Sequence, residues 1–206
     1  TDGNGDSWLY FSSQLINLNV GHQHPRMLEA IKKQVDTLCF AGPSFATEPR
    51  GLLGKKLAEV TGLSKAFFTL GGSEANENAI KMARLVTGRD KIITRYRSYH
   101  GATMGSMTAS GDPRRWPVEP GVPGVVRVFD PYCYRCPFGK TPDSCGRECV
   151  SHIEEVIQME GPTSIAAILV EGITGSNGLI VPPDDYYPKL RALCDRYGIP
   201  VSYTHL

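Results

Sequence analysis

The sequence predicts an α/β fold, a mainly parallel sheet flanked by helices. From residue 65 onward, short strand-like runs alternate with segments of helical periodicity, the order of a sheet covered on both faces. One run, Ile165-Ala166-Ala167-Ile168-Leu169-Val170, is apolar throughout before it ends at Glu171, as a strand buried on both sides requires. A 41% hydrophobic and 21% charged composition over 206 residues is that of a globular chain.

Taken in order, Thr1 to Asn19 reads as extended, with a turn at Asp2-Gly3-Asn4-Gly5 and strand-like residues at Trp8 to Phe11. A helix begins at Pro25, with Met27, Leu28, Ile31, Val35 and Leu38 on one face; proline is tolerated in the first turn. After a loop holding Gly42-Pro43-Ser44-Phe45, a second helix runs from about Pro49 to Val60. Residues 66–70 read as a short buried strand, 73–87 as a helix and 91–94 as a second strand. Val125 to Phe129 and Ile165 to Glu171 follow as strands, separated by a cysteine-bearing loop and a helix around Cys149 to Met159. A last helix spans Asp184 to Tyr197, with Tyr187, Leu190, Leu193 and Cys194 on its apolar stripe. The expected organisation is an N-terminal segment (1–50), a partial large domain (51–199) and a short tail (200–206).

The balance of 22 basic against 21 acidic residues gives no sign of a nucleic-acid or anionic-membrane partner. No apolar run approaches the ~20 residues that span a bilayer, and no secretory signal opens the chain, so the cytoplasm is the expected compartment. Of six cysteines, Cys39 and Cys194 fall at apolar helix positions, where packing is expected. Cys133, Cys136, Cys145 and Cys149 cluster as C-x-x-C and C-x-x-x-C. Three readings stay open for them: a thiolate site for zinc or an iron–sulfur cluster, unligated thiols, and disulfides.

The most chemically specific stretch is Gly71-Gly72-Ser73-Glu74-Ala75-Asn76-Glu77, a small-residue turn opening a helix after residues 66–70. Ala75, Ala79, Met82, Ala83 and Val86 recur at helical spacing and predict the packed face. Glycine allows close approach and positive φ, serine can cap, and free N–H groups with the helix dipole favour an anion. Neither the Walker pattern nor G-x-G-x-x-G is present, so a cofactor phosphate outside those families is the functional expectation.

Four separated motifs then agree. Asn19-Val20-Gly21-His22-Gln23-His24-Pro25, the run at 72–77, Ser98-Tyr99-His100-Gly101, and Glu171 followed by Gly178 and Pro182-Pro183 resemble, in order and spacing, the class III aminotransferases. These are fold-type-I enzymes that use pyridoxal 5'-phosphate (PLP), and the resemblance covers residues 1 to about 199. It implies that Gly72 and Ser73 hold the cofactor phosphate and that Tyr99 stacks on the ring. It also places His100 and Gly101 beside the ring and Glu171 near its phenolic oxygen, although Gly172 stands where the family has proline. Leu15, Ile16 and the Pro43-Ser44-Phe45 loop are implied as pocket residues, the loop completing a neighbour's site in a homodimer.

The family's ring-nitrogen aspartate and Schiff-base lysine follow the helix that ends near Tyr197-Gly198-Ile199. Ser202 to Leu206 departs from the expected Asp-Glu strand, so residues 200–206 are expected to be a truncated or non-native tail. The chain alone is therefore not expected to transaminate. No arginine in it is assignable to a substrate carboxylate from sequence; the family's usual one lies further on. The implied reaction moves an amino group from an amine or ω-amino acid to a keto acid such as pyruvate. Cys-Tyr-Arg-Cys-Pro-Phe-Gly at 133–139 resembles the ω-amino acid or taurine:pyruvate branch. Two alternatives stand beside it: an aminomutase of the glutamate-1-semialdehyde type, and a non-catalytic metal-binding module built on the cysteine loop.

Overall fold

A computed structural model describes residues 1–204, the side chains of Leu15, Ile16 and Thr204 excepted. It divides into two units, residues 1–67 and the residues from Phe68 onward.

The first unit carries three helices, α1 (Ser13–Ile16), α2 (Pro25–Thr37) and α3 (Glu48–Thr61). Proline opens α2, as the sequence predicts, and left-handed Gly62 closes α3. The expected apolar face of α2 is present but uncovered: Met27, Ile31, Val35 and Leu38 are exposed. No described residue of this unit is buried, and Cys39, expected to pack, is exposed. Trp8 to Phe11 forms no strand, because no neighbouring segment offers a hydrogen-bonding ladder.

The second unit is built on four parallel strands. Its elements are α4 (Gly72–Thr87), β1 (Lys91–Arg95), α5 (Met104–Ala109), β2 (Val125–Val128), α6 (Glu148–Glu160), β3 (Ile165–Glu171), α7 (Tyr186–Tyr197) and β4 (Val201–Thr204). The sheet order is β2-β1-β3-β4, with Ile93 opposite Val126 on one side and Ile168 on the other. β3 is buried at every residue. One face packs Ile93, Ile168 and Val170 against Ile153 and Ile157 of α6 and Leu190, Leu193 and Cys194 of α7. The other packs Ile92, Ala166 and Leu169 against Ile80 and Ala83 of α4.

Two expectations are corrected here. Residues 66–70 are not a strand: Phe67, Phe68 and Leu70 are exposed, and none of the four strands pairs with this run. An apolar run without a ladder partner leaves its backbone groups to water. The inward stripe of α4 is also rotated from the predicted one. Ile80 and Ala83 pack against the sheet and Asn76 is buried, so of the predicted face Ala83 is inward while Ala75, Met82 and Val86 are exposed. The rotation is set by Asn76, the buried residue of this helix, whose Nδ2 donates to the His100 carbonyl at 2.6 Å.

Candidate active site

Parallel strands deliver their carboxyl ends to one edge of a sheet, where ligands collect in open α/β folds. Arg95 and Glu171 end β1 and β3 there. The Arg95 guanidinium, almost fully buried, donates through Nη2 to the Glu171 carbonyl. Beyond Arg95 the chain turns sharply: Ser98 Oγ donates to the Arg95 carbonyl at 2.6 Å, and Tyr99 and His100 follow. Glu171 braces this turn from below. Its Oε1 accepts from Tyr99 N and its Oε2 from Gly175 N, both at 2.8 Å, so a buried carboxylate is met by two backbone donors.

The start of α4 faces the same turn. Its N-cap, Gly71, is extended rather than left-handed, and Gly72 is likewise absent from the left-handed residues. The expectation that these glycines supply positive φ is thus corrected; they supply space, since a β-carbon at either would have no atom within 4 Å. Ser73 does not cap the helix. No side chain caps it, and Ser73 Oγ instead accepts from Ala102 N at 2.9 Å. An uncapped helix start under open space leaves first-turn N–H groups and the positive end of the dipole for an anion. Gly101 is the position where glycine is obligatory: φ is +135°, and a β-carbon would lie 2.8 Å from Ser73 Cα. Glu77 fastens the other side, accepting from Thr103 Oγ1 at 2.6 Å and Ser106 N at 3.0 Å.

Tyr99 is half-buried, and the Arg114 guanidinium carbon lies 3.7 Å from its ring centroid. One ring face is therefore covered by a cation, and the ring keeps part of its surface exposed. His100 is buried, and neither ring nitrogen has a hydrogen-bond partner among the described residues. Burial, with the nearby Arg95 charge, pushes its pKa down to about 4, so the ring is neutral at physiological pH.

Sequence reasoning missed Arg114. It follows Asp112, which accepts from Arg114 N at the start of a 3-10 turn, Pro113–Val118. An Asp-Pro cap is the local signal that this segment would be held rigidly.

Of the remaining sequence-predicted residues, Leu15 and Ile16 have side chains outside the described residues. Phe45 is 68% exposed in the first unit, its carbonyl accepting from Arg50 Nη1 at 2.7 Å. Cys133, Cys136, Cys145 and Cys149 line one small cavity, and all four are free thiols. Of the three readings left open for them, the metal site finds no support: among the described residues no group of three or more His, Cys, Asp or Glu is placed to hold an ion. Arg147 intrudes: its Nη1 donates to Cys145 Sγ at 2.7 Å while its Nε is tied to Asp185. A cation among the sulfurs opposes a second one.

The residues at the carboxyl edge suit PLP. The open, uncapped start of α4 with Ser73 fits a phosphate, and the part-exposed Tyr99 ring fits a stacked pyridine.

Comparison with known proteins agrees. The family model described as "Aminotransferase class-III" matches residues 1–201. A leucine/methionine racemase of Thermococcus litoralis is 36% identical over 198 residues, covering 93% of this chain and 44% of the relative. A taurine–pyruvate aminotransferase of Bilophila wadsworthia is 34% identical over 208 residues, covering 97% of this chain and 45% of the relative. Among solved structures, the taurine:2-oxoglutarate aminotransferase of Bifidobacterium kashiwanohense, in complex with PLP and glutamate, superposes with a TM-score of 0.86 at 45% identity. That superposition covers 93% of this chain and 45% of that one, so the chain spans somewhat under half the length of the relatives it matches. With a fold-type-I sheet, an anion-ready helix start and a family match over nearly its whole length, the chain belongs to the class-III aminotransferases.

Proposed function

We propose that this chain forms the cofactor-anchoring part of a transaminase that moves an amino group from an amine or ω-amino acid to a keto acid such as pyruvate. The observation that carries the reading is the uncapped start of α4 beneath the open space at Gly71 and Gly72, with Ser73 beside it. PLP bound there supplies the electron sink for cleavage and formation of bonds at the amino-bearing carbon.

The chain's own residues do the holding. Gly72 and Ser73 present backbone N–H groups and a hydroxyl to the phosphate. Tyr99 stacks on the ring, and Glu171 holds the Tyr99 backbone in place. Neutral His100 packs beneath the same turn, with Gly101 allowing the close approach of the loop to Ser73. Phe45 and its loop are assigned to a two-fold contact in a cytoplasmic homodimer, with Leu15 and Ile16 lining the donor pocket.

The racemase among the relatives favours a second reading, an isomerisation that, like the aminomutase alternative, needs no external acceptor. Incubating the PLP-loaded full-length parent of this chain with a panel of amines and pyruvate or 2-oxoglutarate decides between them. Alanine or glutamate formed in step with amine consumed is the expected result. Rearranged or racemised amine without keto-acid consumption selects the second reading, and no reaction in either mode defeats both.

A further inference from the structure

Four cysteines that the proposed reaction does not use are gathered by the fold. Cys133 opens a 3-10 turn (Cys133–Arg135), Cys149 lies in the first turn of α6, and both line one cavity with Cys136 and Cys145. All four are free and half-buried, within reach of a small solute. Arg147 caps α6 in the left-handed region, at φ +68°, where a side chain stays only if contacts hold it. Those contacts are Asp185, the Pro142 carbonyl at 3.2 Å and Cys145 Sγ at 2.7 Å. A sulfur hydrogen-bonded to a guanidinium is in the setting of a nucleophile, whereas burial pushes the Cys149 thiol up to about 11 and the Cys133 thiol up as well. After burial, the neighbour that raises Cys133 most is Cys145, ahead of Cys136 only three residues away, so the two arms of the loop meet across the cavity.

The same loop is fastened to the turn that carries Tyr99. Asp130, fully buried, accepts from Arg97 N at 3.1 Å and from Arg97 Nη1 at 3.5 Å, and the Arg97 guanidinium carbon lies 4.9 Å from the Tyr132 ring centroid. Tyr132 N donates to the Asp130 carbonyl and Arg135 N to the Tyr132 carbonyl, so residues 130–135 form one turn with Cys133 inside it.

We propose that Cys145 and Cys133 are a peroxide-sensitive modification site, where a reversible disulfide draws the 130–135 turn away from Arg97 and loosens the backbone that presents Tyr99. The Cys145 sulfur attacks a peroxide oxygen, the O–O bond breaks, and the departing hydroxide takes the thiol proton to leave as water. The Cys133 sulfur then attacks the Cys145 sulfur, the S–O bond breaks, and a second water leaves with the Cys133 proton. Two thiols are oxidised and one peroxide is reduced. A disulfide holds its α-carbons about 4.4–6.8 Å apart, so the new bond takes Cys145 from Arg147 and pulls Cys133, with Asp130, toward it. Small thiols reverse the bond by exchange. Only the cofactor readout below rests on the transaminase reading.

Trypsin cuts after Arg127, Arg135, Lys140, Arg147 and Lys189, so each of the four cysteines falls on its own peptide. The full-length parent of this chain is treated with hydrogen peroxide, remaining thiols are alkylated, and the peptides are weighed. Amide exchange over residues 96–102 and PLP affinity are measured on the same samples, before and after dithiothreitol. The expected product joins peptide 128–135 to peptide 141–147, two hydrogens lighter than their sum. It should come with a loss of amide protection over 96–102 and a severalfold fall in PLP affinity, all reversed by dithiothreitol. Cys145→Ser and Cys133→Ser should each abolish the link and both changes, Cys136→Ser should keep them, and Arg147→Gln should slow formation of the link. Any other pairing, or four alkylated thiols after peroxide, overturns the proposal. So does a Cys133–Cys145 link that leaves exchange over 96–102 unaltered. A parent that shows the link and the lost protection but binds no PLP in either redox state defeats the transaminase reading and leaves the switch standing.

Discussion

Two apolar runs of similar length meet opposite fates. Ile165 to Glu171 becomes β3, hydrogen-bonded on both sides and buried at every residue. Residues 66–70, with two phenylalanines and a leucine, pair with none of the four strands and leave Leu70 fully exposed. The same contrast separates the two units: residues 1–67 hold the amphipathic α2 and, among the described residues, no buried side chain, while the second unit closes a core on both faces of its sheet. Apolar residues specify what can be buried. Only a partner surface decides that it is.

The sharpest way to break the contrast is to delete equal side chains on either side of it. Ile168→Ala, at the centre of the sheet, should destabilise by about 2–5 kcal/mol, whereas Ile31→Ala on exposed α2 should stay within about 0.5 kcal/mol. Urea unfolding followed by circular dichroism measures both, and similar costs would show that the helices of the first unit are covered in solution.

A second effect is expected from pH. His100 is held near 4 when folded against an ordinary value of 6.5. The unfolded chain therefore takes up the proton first as pH falls. The stability that neutral His100 contributes is fully present above 6.5 and is lost as pH drops through about 4. A shift of this size corresponds to roughly 3 kcal/mol. His100→Gln should flatten that limb of the unfolding free energy between pH 6.5 and 4; an unchanged slope would place the burial penalty elsewhere.

Smaller again is the anchor. Ser73→Ala removes the hydroxyl that accepts from Ala102 N and is assigned to the phosphate. PLP retention in the enzyme should fall by the ~1.5–3 kcal/mol of a charge-assisted hydrogen bond, about tenfold or more in Kd. Equilibrium dialysis reads it directly, and unaltered retention would reduce Ser73 to a brace for the loop at 101–102.

The least effect on the chain's own stability is expected from Phe45→Glu, since that side chain is already 68% exposed. The unfolding free energy should move by no more than about 0.5 kcal/mol, yet sedimentation should shift toward monomer if the loop is an interface, because an unpaired charge is costly to bury. A dimer that persists with the glutamate would remove Phe45 from the contact.

Much of this was legible without coordinates. The helix starting at Pro25, the helix from about Pro49 to Val60, the apolar run of β3 and the small-residue turn into α4 are local patterns, and each formed within a residue or two of where it is read. What misled was also local. Residues 66–70 have strand composition but no ladder, and α4 turns its Asn76 stripe inward because a carbonyl 24 residues away needs that donor.

The sequence by itself determined the order of helices and strands and the family, since periodicity, capping and motif spacing act over a few residues at a time. The tertiary structure alone decided which groups meet. Arg114 is one basic residue among 22 until buried Asp112 and Ser176, 62 positions away, hold its guanidinium over the Tyr99 ring. Gly101 is one glycine among 22 until Ser73 crowds the place where its β-carbon would stand. Both outcomes depend on contacts between segments that the sheet brings together, and hydrogen-bond valence and excluded volume are settled only there.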